Sequence, residues 1–170
     1  MLCLKDLMRR DVVSVAPDLT LRELVELFAE REVSGAPVVV SRKVVGVVST
    51  TDIFDFREET RGTAPTSERR RTPGSAEFFF DLEDPADSDS LELMRMSRDR
   101  SWDLLDEYSV ADVMTRDVVS QPSSASVKKA AQYMLDAGIH RVLVIDAGEL
   151  KGIITTTDIV RAVAEGRLKG

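Results

Sequence analysis

The feature that most constrains this chain is that it repeats itself. Residues 4–56 align with residues 110–162 at a constant offset of 106, without a gap. Asp6, Met8, Arg10, Asp11, Val12, Val13 and Ser14 meet Asp112, Met114, Arg116, Asp117, Val118, Val119 and Ser120. Val38 and Gly46 meet Val144 and Gly152, and Thr50, Thr51, Asp52 and Ile53 meet Thr156, Thr157, Asp158 and Ile159. These are 13 identities in 53 positions, gathered in two blocks. Most other pairs stay apolar, such as Leu21/Val127, Phe28/Met134 and Val47/Ile153. A unit of about 55 residues buries too little surface for comfortable stability on its own. The expected organisation is therefore a first copy at residues 1–56, an insert at 57–108, and a second copy at 109–170.

Each copy carries the same local signals. A short helical turn (residues 5–8; 111–114) leads into a short β-branched stretch (12–15; 118–120). Leu21, Leu24, Val25 and Phe28 then recur at i, i+3, i+4 and i+7, the spacing of one helix face. Val127, Ala130, Ala131 and Met134 repeat that stripe. Thr20 and Glu23 fit a capping box at the first helix start; Ser126 can cap the second, where Lys129 replaces the glutamate. Gly138 suits a helix stop. Two strands follow in each copy (37–40 with 44–49; 142–146 with 150–155), with turns at 41–43 and 147–149. A last helix starts near Asp52 and near Asp158, where a carboxylate suits the positive helix end. The fold class is α+β: two β-α-β-β-α repeats packed about a pseudo-two-fold axis, with a cleft between them.

The insert has no partner in the repeat. Its first half is rich in Glu, Arg, Thr, Pro and Ser, a composition that favours a flexible loop. Phe78, Phe79 and Phe80 are expected to pack onto the module or a partner. Residues 90–108 are expected to form a helix with an imperfect apolar stripe. The net charge of −7 concentrates here: the insert holds 8 basic and 14 acidic residues, the rest 15 and 16. The chain lacks the basic footprint of a non-specific nucleic-acid binder. No apolar run approaches the roughly 18 residues of a membrane span, and no secretory leader is legible at the start. One cysteine, Cys3, cannot form an internal disulfide, which fits a reducing, cytoplasmic location. One histidine, His140, gives no His/Cys zinc cluster. Nucleophile elbow, Walker loop and metal-binding histidine pair are all missing from the sequence, so an enzyme is not expected.

The repeated blocks resemble a tandem pair of cystathionine-β-synthase (CBS) domains, a Bateman module. Three segments carry the resemblance. Asp6-Leu-Met-Arg-Arg-Asp-Val-Val-Ser and Asp112-Val-Met-Thr-Arg-Asp-Val-Val-Ser look like the family's opening segment. Ser34-Gly-Ala-Pro-Val-Val-Val and Ile139-His-Arg-Val-Leu-Val-Ile-Asp look like its central strand. Gly46-Val-Val-Ser-Thr-Thr-Asp-Ile and Gly152-Ile-Ile-Thr-Thr-Thr-Asp-Ile look like its closing motif.

The resemblance implies a regulatory module that binds AMP, ADP, ATP or S-adenosylmethionine between the repeats, with or without Mg²⁺. No cofactor is required by this reading. Asp52 and Asp158 would hold ribose, since an ionised carboxylate accepts from both hydroxyls. Ser49 and Thr155 would add hydroxyls. His140 and Arg141 would meet phosphate, whereas copy one has uncharged Ser34 and Gly35 there. Adenine would lie near Val12, Val13, Thr115 and Val118. A two-fold homodimer and an effector protein are implied partners. Other readings stay open. Asp52 and Asp158 also suit plain helix caps. The module could be a ligand-free dimerisation unit whose insert docks a partner, or an Asp-rich cleft could do hydrolase or transferase chemistry.

Overall fold

The computed structural model describes residues 1–60, Phe79 and residues 103–168. The first half contains α1 (Leu21–Arg31), β1 (Gly35–Val40), β2 (Lys43–Ser49) and α2 (Thr50–Thr60). The second contains α3 (Val110–Val113), β3 (Ser120–Gln121), α4 (Val127–Ala137), β4 (Arg141–Asp146), β5 (Glu149–Thr155) and α5 (Thr156–Ala164). A 3-10 turn, Leu4–Asp6, opens the chain at the position matching α3.

The local signals act as their chemistry predicts. Thr20 and Glu23 form the capping box of α1: the Glu23 N–H donates to Thr20 Oγ1, and the Thr20 N–H donates to the Glu23 carboxylate at 2.9 Å. Ser126 Oγ accepts the Lys129 N–H on α4. Gly138 ends α4 with φ +65°, in the left-handed region that glycine adopts at little cost. Its counterpart Glu32 ends α1 with φ +52°.

The strands form one antiparallel-dominated sheet in the order β1-β2-β5-β4-β3. β1 pairs with β2 and β4 with β5 in matching registers, each with one irregularity. Strands β2 and β5 meet at one ladder pair, Lys43 with Glu149, beside which the Val44 N–H donates to the Gly148 carbonyl. At that joint Glu149 accepts from Lys151 Nζ at 2.8 Å, with Arg42 at 3.5 Å. The Lys151 bond, then Arg42, holds the Glu149 carboxyl below its ordinary range.

Two expectations need correction. The stretches at 12–15 and 118–120 are not full strands. Only Val15 bridges β1, and only Ser120–Gln121 pair with β4. Their remaining residues lead the chain between the halves, so their β-branching does not decide their conformation. The helices expected near Asp52 and Asp158 start two residues earlier. The aspartates occupy the third helical position, facing back to Ser49 and Thr155.

The halves do not fold side by side. They exchange their opening segments. Leu4, Lys5 and Arg9 hydrogen-bond to Ala125, Ser123 and Ile153 of the second half. Val110, Ala111 and Thr115 hydrogen-bond to Leu19, Pro17 and Val47 of the first. Each bond of one set maps onto the other at the offset of 106. The cores follow the exchange. Leu4 is buried with Val127, Met134, Val142 and Ile154, while Val110 is buried with Leu21, Leu24, Phe28 and Ile53.

This exchange explains the two repeated glycines. A Cβ on Gly152 would stand 2.5 Å from the Arg9 carbonyl and 3.0 Å from Met8 Sδ. One on Gly46 would stand 2.8 Å from the Thr115 carbonyl and 3.1 Å from Met114 Sδ. A backbone carbonyl held on both sides by paired hydrogen bonds cannot retreat. Gly152→Ala is therefore expected to lower unfolding stability by about 1–3 kcal/mol, as overpacking does. Urea denaturation checks this, and an unchanged midpoint would refute the close approach.

Candidate functional site

The closing motif of each half places a carboxylate at the mouth of the last helix. In the second half, Asp158 Oδ2 accepts the Thr155 N–H and Oγ1–H, both at 2.9 Å. The Asp158 N–H returns a bond to Thr155 Oγ1 at 3.3 Å. This reciprocal box satisfies orphan donors of α5 and fixes the carboxylate. In the first half Asp52 Oδ2 accepts the Ser49 N–H at 2.8 Å and Oγ–H at 3.0 Å. The capping role of both aspartates is therefore real. It uses one oxygen of each carboxylate, and a carboxylate has about four lone-pair sites.

The antiparallel register sets Arg141 opposite the strand end that leads to Asp158. Arg141 stands directly opposite Thr155 across β4 and β5. Arg141 is buried and His140 half-buried. The His140 peptide is held on both sides: its N–H donates to the Phe79 carbonyl at 2.8 Å, and its carbonyl accepts the Thr156 N–H at 2.9 Å. In the first half Gly35 stands opposite Ser49, and the Ser34 carbonyl accepts the Thr50 N–H. The frameworks match; the side chains do not.

The four residues expected around adenine do not form one group. Thr115 pairs with Val47 on β2, two residues before Ser49. Val118 packs against the core of the second half. Val12 and Val13 are half-buried. Segment exchange separates them: the opening segment of each half runs past the closing motif of the other.

Two cations that motif reasoning does not mark converge on Asp158. Arg9 Nε lies 3.6 Å from Oδ2, and Arg161 Nη1 lies 3.4 Å from Oδ1. Arg9 comes from the first half, registered opposite Ile153. The offset alone could have drawn attention to it, because it meets Thr115, a mismatch inside the best-matched block. Among the described residues, no group of three or more His, Cys, Asp or Glu could hold a metal ion. No described helix is long and apolar enough to cross a membrane.

The insert reaches both halves. Phe79 is fully buried in the core of the second half, beneath His140. Phe78 and Phe80 lie outside the described residues. Most of the helix expected at 90–108 also lies outside them; its end does not run to Tyr108. Asp103 and Leu104 are helical, and a turn follows at 105–107. The carbonyls of Leu105 and Tyr108 accept the Arg22 and Leu21 N–H groups of α1 instead of continuing a helix. Arg22 Nε also donates to Asp106 at 2.6 Å.

The fold and this site define a paired-repeat module with a capped carboxylate at the end of each half. The CBS-domain family model matches residues 4–59 and 110–165, and the chain belongs to that family. MJ1426, an uncharacterized protein of Methanocaldococcus jannaschii, is 28% identical over 168 residues, 94% of this chain and 90% of that protein. The CBS domain-containing protein CBSX2 of Arabidopsis thaliana is 27% identical over 92% of this chain, which spans 60% of that protein. The structure of CBSX2 in complex with AMP aligns with a TM-score of 0.64 at 23% identity, over 99% of this chain and 100% of that one. The CBS domain pair of MJ0100, in complex with 5′-methylthioadenosine and S-adenosyl-L-methionine, aligns at 0.59 and 17% identity, over 98% of both. At these identities the structural likeness establishes the fold.

Phe79→Ala is expected to lower unfolding stability by about 3–5 kcal/mol, the range for a buried aromatic truncated in a core. Chemical denaturation checks this. A loss below about 1 kcal/mol would mean that the insert ring is not part of the second core.

Proposed function

We propose that this chain is a non-catalytic regulatory module that binds an adenosine ligand at the closing motif of its second half. One observation carries the reading. A nearly buried carboxylate, Asp158 at 7% exposure, is oriented by Thr155, and Thr155 is the cross-strand partner of Arg141. A cis-diol acceptor beside phosphate donors is the chemistry a nucleotide requires. The adenosine ligands of CBSX2 and MJ0100 support the class of ligand. AMP, ADP, ATP and S-adenosylmethionine are the candidates, with or without Mg²⁺. Asp158, Thr155, His140 and Arg141 are the residues for the second half, and Asp52 and Ser49 for the first. Val12, Val13, Thr115 and Val118 are the candidates for contact with adenine.

Regulation follows if the ligand favours one arrangement of the halves over another. Segment exchange supports this. A ligand on Asp158 also touches the strand that holds the first half's opening segment, so its binding energy acts on the joint.

A thermal-shift and calorimetry panel of AMP, ADP, ATP and S-adenosylmethionine tests the reading. A site-specific ligand at 100 times its Kd adds about 2.7 kcal/mol to stability. Asp158→Ala and Arg141→Ala should each abolish that gain. If no adenosine ligand shifts the wild type, the ligand-free assembly reading replaces this one.

A two-fold homodimer belongs to the same proposal. Val160 and Val163 on α5 are 66% and 59% exposed, and Tyr133 and Leu135 stand exposed on α4. Val160 and Val163 lie three residues apart, on one side of α5, and an exposed apolar pair of this kind suits an interaction face. The pair Val160→Glu and Val163→Glu is expected to turn a dimer into a monomer in sedimentation. A wild-type monomer at micromolar concentration would refute the dimer.

A further inference from the structure

We propose that Arg9, carried into the second half's site by the exchanged opening segment, is the residue that selects a phosphorylated ligand there. The inference rests on the adenosine-binding reading above and adds to it the ligand's charge and the residue that reads it.

The geometry starts from the backbone. The Arg9 N–H donates to the Ile153 carbonyl at 2.9 Å, and the Ile153 N–H donates back to the Arg9 carbonyl at 2.9 Å. This fixes the Arg9 Cα two residues from Thr155. Its side chain is half-exposed at 49%, with Nε 3.6 Å from Asp158 Oδ2. That distance is an ion pair, longer than a hydrogen bond. Oδ2 is already engaged by both donors of Thr155. Oδ1 faces Arg161 Nη1 at 3.4 Å, which leaves it acceptor capacity for a ribose diol. In a nucleoside 5′-phosphate, the phosphate hangs one carbon beyond the ribose ring. A guanidinium on a long side chain that pairs with the ribose carboxylate can swing along the ribose to reach that phosphate. Arg9 can keep its backbone anchor and turn its fork from Asp158 to phosphate oxygens, a bidentate partner for which arginine is well shaped.

The pseudo-symmetric site is the internal control. At the offset of 106, Arg9 becomes Thr115, with the same paired backbone bonds to Val47. Arg161 becomes Asp55, and His140 and Arg141 become Ser34 and Gly35. In the second half the Arg9 and Arg161 guanidiniums pair with Asp158, Arg141 stands opposite Thr155, and His140 precedes it in the chain. At the corresponding positions the first has none of these basic side chains, and one more carboxylate. Of these differences, only Arg9 is supplied by the opposite half. It reads phosphate and joins the halves in a single contact.

The test compares AMP with adenosine by calorimetry on the full chain. Arg9→Thr installs the residue that the second repeat uses at this position with the same backbone pairing, so the fold is retained. The wild type should bind AMP more tightly than adenosine. Arg9→Thr should weaken AMP about 10- to 100-fold, the scale of one charge-assisted contact. Adenosine should change less than about twofold. Arg9→Lys, which keeps the charge without the fork, should fall between. Equal loss of AMP and adenosine would overturn the proposal, because Arg9 would then only position Asp158. An unchanged AMP-to-adenosine ratio would also overturn it while leaving the adenosine-binding reading intact. A wild type that binds neither ligand would overturn both.

Discussion

Two pairs of backbone hydrogen bonds hold this structure in its form. Arg9 pairs with Ile153 and Thr115 pairs with Val47, each across a glycine with no room for a Cβ. Once those four bonds are made, the opening segment of each half lies on the other. Leu4 and Val110 then complete the opposite cores. A half that lost its borrowed segment would expose its core and the unpaired edge groups of β2 or β5. Neither half is therefore an independent folding unit, despite each containing a complete copy of the repeat. The direct sheet joint, one residue pair at Lys43 and Glu149, is slight by comparison.

The same exchange creates a functional asymmetry from a symmetric backbone. Both halves end in an identical device, a hydroxyl and a carboxylate three residues apart that cap the last helix. The device costs the carboxylate only one oxygen, so capping and ligand binding are compatible roles for one residue. What differs is the surrounding charge. Asp158 is met by Arg9 from across the axis and Arg161 from its own helix, with Arg141 opposite its Thr155. The repeat therefore conserves the scaffold that aims the carboxylate and varies the cations that decide what it meets.

Much of this was legible in the sequence, and the rest was hidden for definite reasons. Helix stripes, the Thr20–Glu23 box, the Gly138 stop and the strand pairs depend on neighbours within a few residues, and they stand where the pattern put them. The likeness of residues 49–52 to 155–158 also marked the two capping carboxylates. Segment exchange could not be read, because a perfect repeat says that two segments are equivalent without saying which core each completes. Arg9 was overlooked for the same reason: its distance from Asp158 exists only after exchange. The stretch at 12–15 misled because β-branching describes a preference, while its route between the halves decides its conformation. Phe79 sits in a segment without a repeat partner, so no internal comparison could place it.

A module built this way has few ways to move one part alone. Arg9 is fixed by its peptide to β5 and reaches Asp158 by its side chain. Seven residues from Arg9 along the chain, Leu2 accepts the Val127 N–H at the start of α4. Behind the site, the Phe79 carbonyl holds the His140 peptide, and at the far end of the insert Leu105 and Asp106 hold the first turn of α1. A ligand that draws Arg9 from Asp158 toward its phosphate changes a contact between the halves. A ligand that moves His140 changes a contact with the insert. If these contacts couple, the coupling acts in both directions. On the proposed reading, a partner that bound the insert and so coupled to the site would alter affinity for a nucleotide by the same factor that the nucleotide altered affinity for the partner.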